Sequence, residues 1–107
     1  MKEVALPPEF TKTEIMCCDL LMSEKSYRVI LGYRPPTGPS KETDDLFLRC
    51  LRVAASTTSN HLIILGDFNI PEIKWSKNED FPDGSIANNF INFTNDFGLY
   101  QHVLLLH

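Results

Sequence analysis

Between Arg34 and Ser40 the chain carries Pro35, Pro36, Gly38 and Pro39, and neither a strand nor a helix can run through such a block. Proline has no amide hydrogen to donate, fixes its own φ, and pushes the residue before it out of the helical region. A strand arriving from the N-terminal side must therefore stop at about Arg34. The sequence predicts such a strand over residues 27–33. There Tyr27, Val29, Leu31 and Tyr33 share one face while Arg28, Ile30 and Gly32 share the other, the period of two of a packed sheet. Upstream, residues 13–21 (TEIMCCDLL) are short and dense in apolar side chains, and Ser23-Glu24-Lys25-Ser26 follows. That pattern predicts a first strand and a turn, hence an antiparallel hairpin. Pro7 and Pro8 make the first ten residues an extended or looped lead-in.

Beyond the proline block the period changes. Ser40 or Thr43 can cap a helix whose first turn holds Glu42, Asp44 and Asp45, and whose Phe47, Cys50, Leu51 and Ala54 recur at helical spacing. The helix gives out in Ser56-Thr57-Thr58-Ser59-Asn60. Leu62-Ile63-Ile64-Leu65 is then a short continuous apolar run, which predicts a strand covered on both faces and ended by Gly66. Residues 71–84 read as a long polar and aromatic loop around Trp75. Ser85 is suited to cap a second helix, with Ile86, Phe90, Phe93 and Phe97 on one face and Gly98 at its end. A last strand is expected over residues 100–106. This order of elements predicts an α/β or α+β layered domain.

Composition agrees and narrows the function classes. At 107 residues, 43% hydrophobic and 22% charged, the chain suits one small domain or part of one. Ten Lys and Arg against fourteen Asp and Glu give a net charge of −4, so no basic stripe marks a nucleic-acid surface, and phosphate contacts must be local or supplied elsewhere. Cys17, Cys18 and Cys50 are odd in number and fit neither a disulfide framework nor a zinc spacing. Reduced thiols point to an intracellular setting, nucleus or cytoplasm. The N-terminal residues lack the pattern of a secretory signal, and no apolar run reaches membrane-spanning length.

Chemistry concentrates in Gly66-Asp67-Phe68-Asn69, at the carboxyl end of the apolar strand, where α/β sheets commonly place ligand groups. Residues two apart on an extended segment point the same way, so Asp67 and Asn69 can enter one pocket while Phe68 turns to the core. A carboxylate can orient or deprotonate an attacking water, and an amide can donate to a phosphate oxygen. The alternative is an Asx turn in which both side chains only satisfy backbone groups. Tyr33-Arg34-Pro35-Pro36 adds a phenol and a guanidinium to the same region if the two strands are neighbours. Trp75 can serve as a nucleic-acid contact or as a core or lid anchor. His102 reads as a packed strand residue and His61 as a surface cap.

In this combination and order, Tyr33-Arg34-Pro35-Pro36, then Leu62-Ile63-Ile64-Leu65-Gly66-Asp67-Phe68-Asn69, then Pro71-Glu72-Ile73-Lys74-Trp75, the sequence resembles the endonuclease/exonuclease/phosphatase superfamily. It is most similar to the endonuclease domains of non-LTR retrotransposons. The likeness spans residues 15–103 and includes Gly98-Leu99-Tyr100-Gln101-His102-Val103. It implies a four-layered α/β sandwich of two packed mixed β-sheets flanked by helices. It also implies Mg²⁺-assisted hydrolysis of phosphodiester bonds, with DNA as substrate and a reverse transcriptase, or the rest of the domain, as partner. Carried over, Asp67 positions or activates the water, Asn69 and Tyr33 hold the phosphate, and Arg34 is a backbone contact.

The family's upstream asparagine and metal-binding glutamate have no counterpart here. Nor does its late Ser-Asp-His element, because His102 and His107 do not follow a Ser-Asp pair. No residue is assigned as a metal ligand. Residues 1–12 are expected as an extended segment and 13–107 as the central part of such a domain, truncated at both ends. The alternatives are a phosphatase-branch member acting on small phosphate esters and a non-catalytic interaction fragment.

Overall fold

A computed structural model describes residues 2–10, 13–35, 40–57, 61–70 and 81–99. Within them the elements run β1 (Lys2–Glu3), a 3-10 turn (Pro8–Phe10), β2 (Ile15–Met22), β3 (Lys25–Tyr33), α1 (Lys41–Ser56), β4 (His61–Asp67) and α2 (Ile86–Asp96). The expected hairpin forms. β2 and β3 pair antiparallel, from Ile15 opposite Gly32 to Met22 opposite Lys25. Ser23 and Glu24 close it with φ of 50° and 66°, the two positive values of the tight turn whose twist matches paired strands. Lys25 and Ser26, expected in the turn, belong to β3.

β4 lies parallel to β3, with Ile30 opposite Ile64 and Tyr33 opposite Asp67, so β3, α1 and β4 make a crossover unit. The lead-in also carries structure: Lys2 and Glu3 pair with Asp19 and Cys18, and Phe10 is buried at the end of its turn. The result is an α+β unit with one mixed sheet, order β1-β2-β3-β4, and two helices. Among the described residues no helix is long and apolar enough to cross a membrane.

Both helix starts follow from local chemistry. Ser40 accepts from the Thr43 amide while the Thr43 hydroxyl accepts from the Ser40 amide, a reciprocal cap that satisfies two otherwise orphaned donors. Ser85 caps α2 through the Asn88 amide. At the other end of α2, Gly98 takes φ 64°, the left-handed conformation that closes a helix without a Cβ clash.

The helices cover one face of the sheet. Ile15 and Cys17 from β2 and Ile30 from β3 meet Phe47, Leu48, Cys50, Leu51, Ala54 and Ala55 of α1 and Ala87, Phe90 and Phe93 of α2. Phe93, Ile30, Leu51 and Cys50 are the largest fully buried side chains. Each fully buried apolar side chain of this size contributes about 1.5–3 kcal/mol. Arg28 shares this face and is 5% exposed. Its Nε and Nη2 donate to the two Asp19 carboxylate oxygens at 2.7 and 3.0 Å, and Nη1 donates to the Ala54 carbonyl and the Thr57 hydroxyl. The bond to Asp19 raises its already high pKa despite burial.

The opposite face corrects one expectation. Among the described residues β4 is covered on one side only: Leu62, Ile63 and Ile64 are half-buried and Leu65 is 43% exposed. Its alternate residues line a face on which Met16, Leu31 and Leu65 stand open, and nothing among the described residues packs over them. A continuous apolar run is unable to say whether its second face is met by helices or by another sheet.

Candidate active site

The carboxyl ends of β3 and β4 bring the two motifs together. Tyr33 and Asp67 are register partners on adjacent parallel strands, and the Arg34 amide donates to the Asp67 carbonyl at 2.9 Å, extending the ladder by one bond. Strand neighbours lie about 4.8 Å apart, so the phenol and the carboxylate leave the sheet side by side. Both are exposed, Tyr33 by 43%.

Two glycines make this end possible. Gly66 has φ 153°, and a Cβ there would meet the Gly32 carbonyl oxygen at 1.9 Å, so no other residue fits without moving the strands. A Cβ on Gly32 would lie 2.9 Å from the Phe68 ring. The bare backbone of Gly32 is the floor on which Phe68 rests. From there Phe68 meets Phe47 edge-on, with centroids 5.9 Å apart, and Phe90 at 5.0 Å. Phe68 turns to the core as its place between Asp67 and Asn69 predicted, and it anchors the turn to both helices.

Asn69 lies beyond the strand with φ 47°, a left-handed conformation that asparagine tolerates better than most residues. Its side-chain Nδ2 donates to the Arg34 carbonyl. Arg34 is not solvated: its side chain is 12% exposed. Nε and Nη2 donate to the two oxygens of Asp44 at 2.9 and 3.1 Å, and Nη1 donates to the Asn69 carbonyl at 2.6 Å and toward that of Phe68 at 3.4 Å. The four residues singled out in the sequence thus fall into two pairs. Tyr33 and Asp67 face outward together, while Arg34 and Asn69 bind each other's backbone. Asp44 joins the second pair, and sequence reading noticed it only as one negative charge in the first turn of α1.

Chemically, an exposed carboxylate next to a phenol can orient or deprotonate a water and donate a hydrogen bond to an anionic oxygen. A divalent cation is a separate matter. Among the described residues no group of three or more His, Cys, Asp or Glu side chains is placed to hold one, so these residues alone do not fit the Mg²⁺ that the resemblance implies. Cys17 and Cys50 are not nucleophile candidates, since burial pushes both thiols above their ordinary pKa. A surface depression between α1 and α2, lined by Asp45, Leu48, Arg49, Arg52, Asn89 and Asn92, contains none of the motif residues. His61 sits exposed at the start of β4 against the Tyr27 ring, far along the strand from Asp67. Trp75 and the first ten residues, 71–80, of the loop expected over 71–84, His102, His107, Pro36 and the expected strand over residues 100–106 lie outside the described residues.

Comparison with curated proteins found no match, and comparison with solved structures found none either. A protein family described as endonuclease-reverse transcriptase matches residues 27–104, from the start of the alternating pattern in β3 through both motifs and α2. The chain therefore belongs to the endonuclease-reverse transcriptase family, within the endonuclease/exonuclease/phosphatase superfamily and linked to the endonucleases of retrotransposons.

Proposed function

We propose that the chain is the central part of a Mg²⁺-dependent DNA endonuclease of the non-LTR retrotransposon type. Asp67 orients or deprotonates the attacking water and Tyr33 donates to a phosphate oxygen, while Asn69, with its amide on the Arg34 carbonyl, supports the turn behind them and does not reach the phosphate in this arrangement. The observation that carries this reading is the side-by-side exit of Tyr33 and Asp67 from parallel strands, inside the span that matches the family. The open face of the sheet, with Met16, Leu31 and Leu65 exposed, is what one half of a two-sheet, four-layered sandwich presents to its partner sheet. In this reading the cation and the proton-transfer partner come from groups outside the described residues. A reverse transcriptase is the functional partner, in the nucleus or cytoplasm.

Supercoiled plasmid incubated with Mg²⁺ and the reconstructed full domain that contains this chain tests the reading. Conversion to nicked circle that EDTA stops and Asp67→Ala abolishes is the expected result. Release of phosphate from inositol phosphates without nicking would assign the chain to the phosphatase branch instead. Neither activity would mean a non-catalytic interaction role for the same residues.

A further inference from the structure

We propose that Asp44, acting through Arg34, is a positioning residue for the Asp67-Phe68-Asn69 turn, a role that rests on the reading of this turn as the reactive end of the site. The guanidinium is planar and carries five donors in a fixed fork, so a carboxylate that accepts two of them sets the plane of the whole group. Asp44 accepts from Nε and Nη2, which leaves Nη1 aimed at the carbonyls of Asn69 and Phe68. The first turn of α1 is thereby tied to the turn after β4 through one side chain. Both partners are shielded, with side chains 12% and 15% exposed, so solvent competes little for these bonds.

The held segment needs holding. Asn69 sits at φ 47°, a conformation that other loop states compete with, and β4 ends at Asp67. Reciprocal contacts lock it: Nη1 of Arg34 on the Asn69 carbonyl, and Nδ2 of Asn69 on the Arg34 carbonyl. If Asn69 left this φ, its carbonyl and side chain would swing away and both contacts would break, freeing the turn that directly follows Asp67. Lysine at position 34 can pair with Asp44 but, lacking the fork, is unable to hold Asn69 at the same time.

Three variants of the full chain, Asp44→Asn, Arg34→Lys and Asp44→Glu, test the clasp. Two readouts apply: the backbone order and φ of Asn69, from amide relaxation and the HN–Hα coupling, and plasmid nicking. Asp44→Asn and Arg34→Lys should loosen Asn69 and average its coupling while amides of α1 and β3 keep their order, and Asp44→Glu should restore most of the order. Where nicking is measured, kcat should fall about ten- to a hundredfold at nearly unchanged KM, the cost of a reactive group misplaced by about 1 Å. Unchanged order at Asn69 in both loosening variants overturns the proposal. So does an equal loss of order throughout the chain, which would make the pair a general support and not a positioning device. The relaxation readout needs no activity, whereas Asp67→Ala decides the function, so the two ideas can fail separately.

Discussion

At the scale of single residues, the site end of the sheet is built on absences as much as on functional groups. Gly66 and Gly32 face each other across β3 and β4, and the missing Cβ atoms let the strands close and let the Phe68 ring come against the backbone. Gly66→Ala should cost about 3 kcal/mol or more, because its Cβ would overlap a carbonyl oxygen that is held in the ladder and is not free to swing away. Urea denaturation measures it. A change below about 1 kcal/mol, the scale of an ordinary substitution, would show that the strands separate easily there. The sequence pointed to Asp67, Asn69 and Tyr33 because a motif keeps its residues close along the chain and because alternation fixes which way a strand residue faces. Asp44 was hidden for the converse reason. It stands ten residues from Arg34 across a proline block, and its importance is a matter of distance in space. The simple alternation that put Asp67 and Asn69 into one pocket also ignored the left-handed φ at Asn69, which turns its amide onto the Arg34 carbonyl.

At the scale of elements, periodicity was a sound guide wherever burial is one-sided. The alternation over residues 27–33 became the central strand, and the spacing of Phe47, Cys50, Leu51 and Ala54 became the inner face of α1. It was misleading for β4, whose apolar residues are continuous although only one face is covered by the described helices. Arg28 shows a different limit: alternation placed it on the same face as Ile30, yet composition alone gives no reason to bury an arginine. The structure supplies one, since its guanidinium joins Asp19 of β2 to the Ala54 carbonyl in the last turn of α1 and to the hydroxyl of Thr57 just beyond it. Cations are favoured at that helix end, where unpaired carbonyls concentrate negative potential. Arg28→Ala should destabilise the chain by about 3 kcal/mol, the low end of the cost of breaking a buried pair, because the Asp19 side chain left behind is 32% exposed. Arg28→Met, which keeps the apolar stem, should lose nearly as much if the charge and its bonds matter. If Met restores most of the stability in thermal unfolding, the arginine acts by packing its stem and not by pairing.

For the molecule as a whole, the unequal treatment of the two sheet faces is the dominant fact. Met16, Leu31 and Leu65 are register neighbours across three strands and form one apolar row, exposed by 61, 41 and 43%. Contiguous apolar surface of this kind is unusual on a finished domain and tends to mark a place where something packs. The isolated chain should therefore bind a hydrophobic dye such as ANS on this face. Leu31→Thr with Leu65→Thr should reduce that binding by more than half while leaving the thermal midpoint nearly unchanged, since threonine keeps the strand preference of the positions. In a polypeptide whose second sheet covers the row, the same pair should instead cost about 2 kcal/mol or more per site, as two buried leucines are lost. The size of the effect on stability thus depends on what lies over the face. If dye binding is indifferent to both substitutions, the open row is not the adhesive surface of this chain, and the two-sheet sandwich loses its physical support.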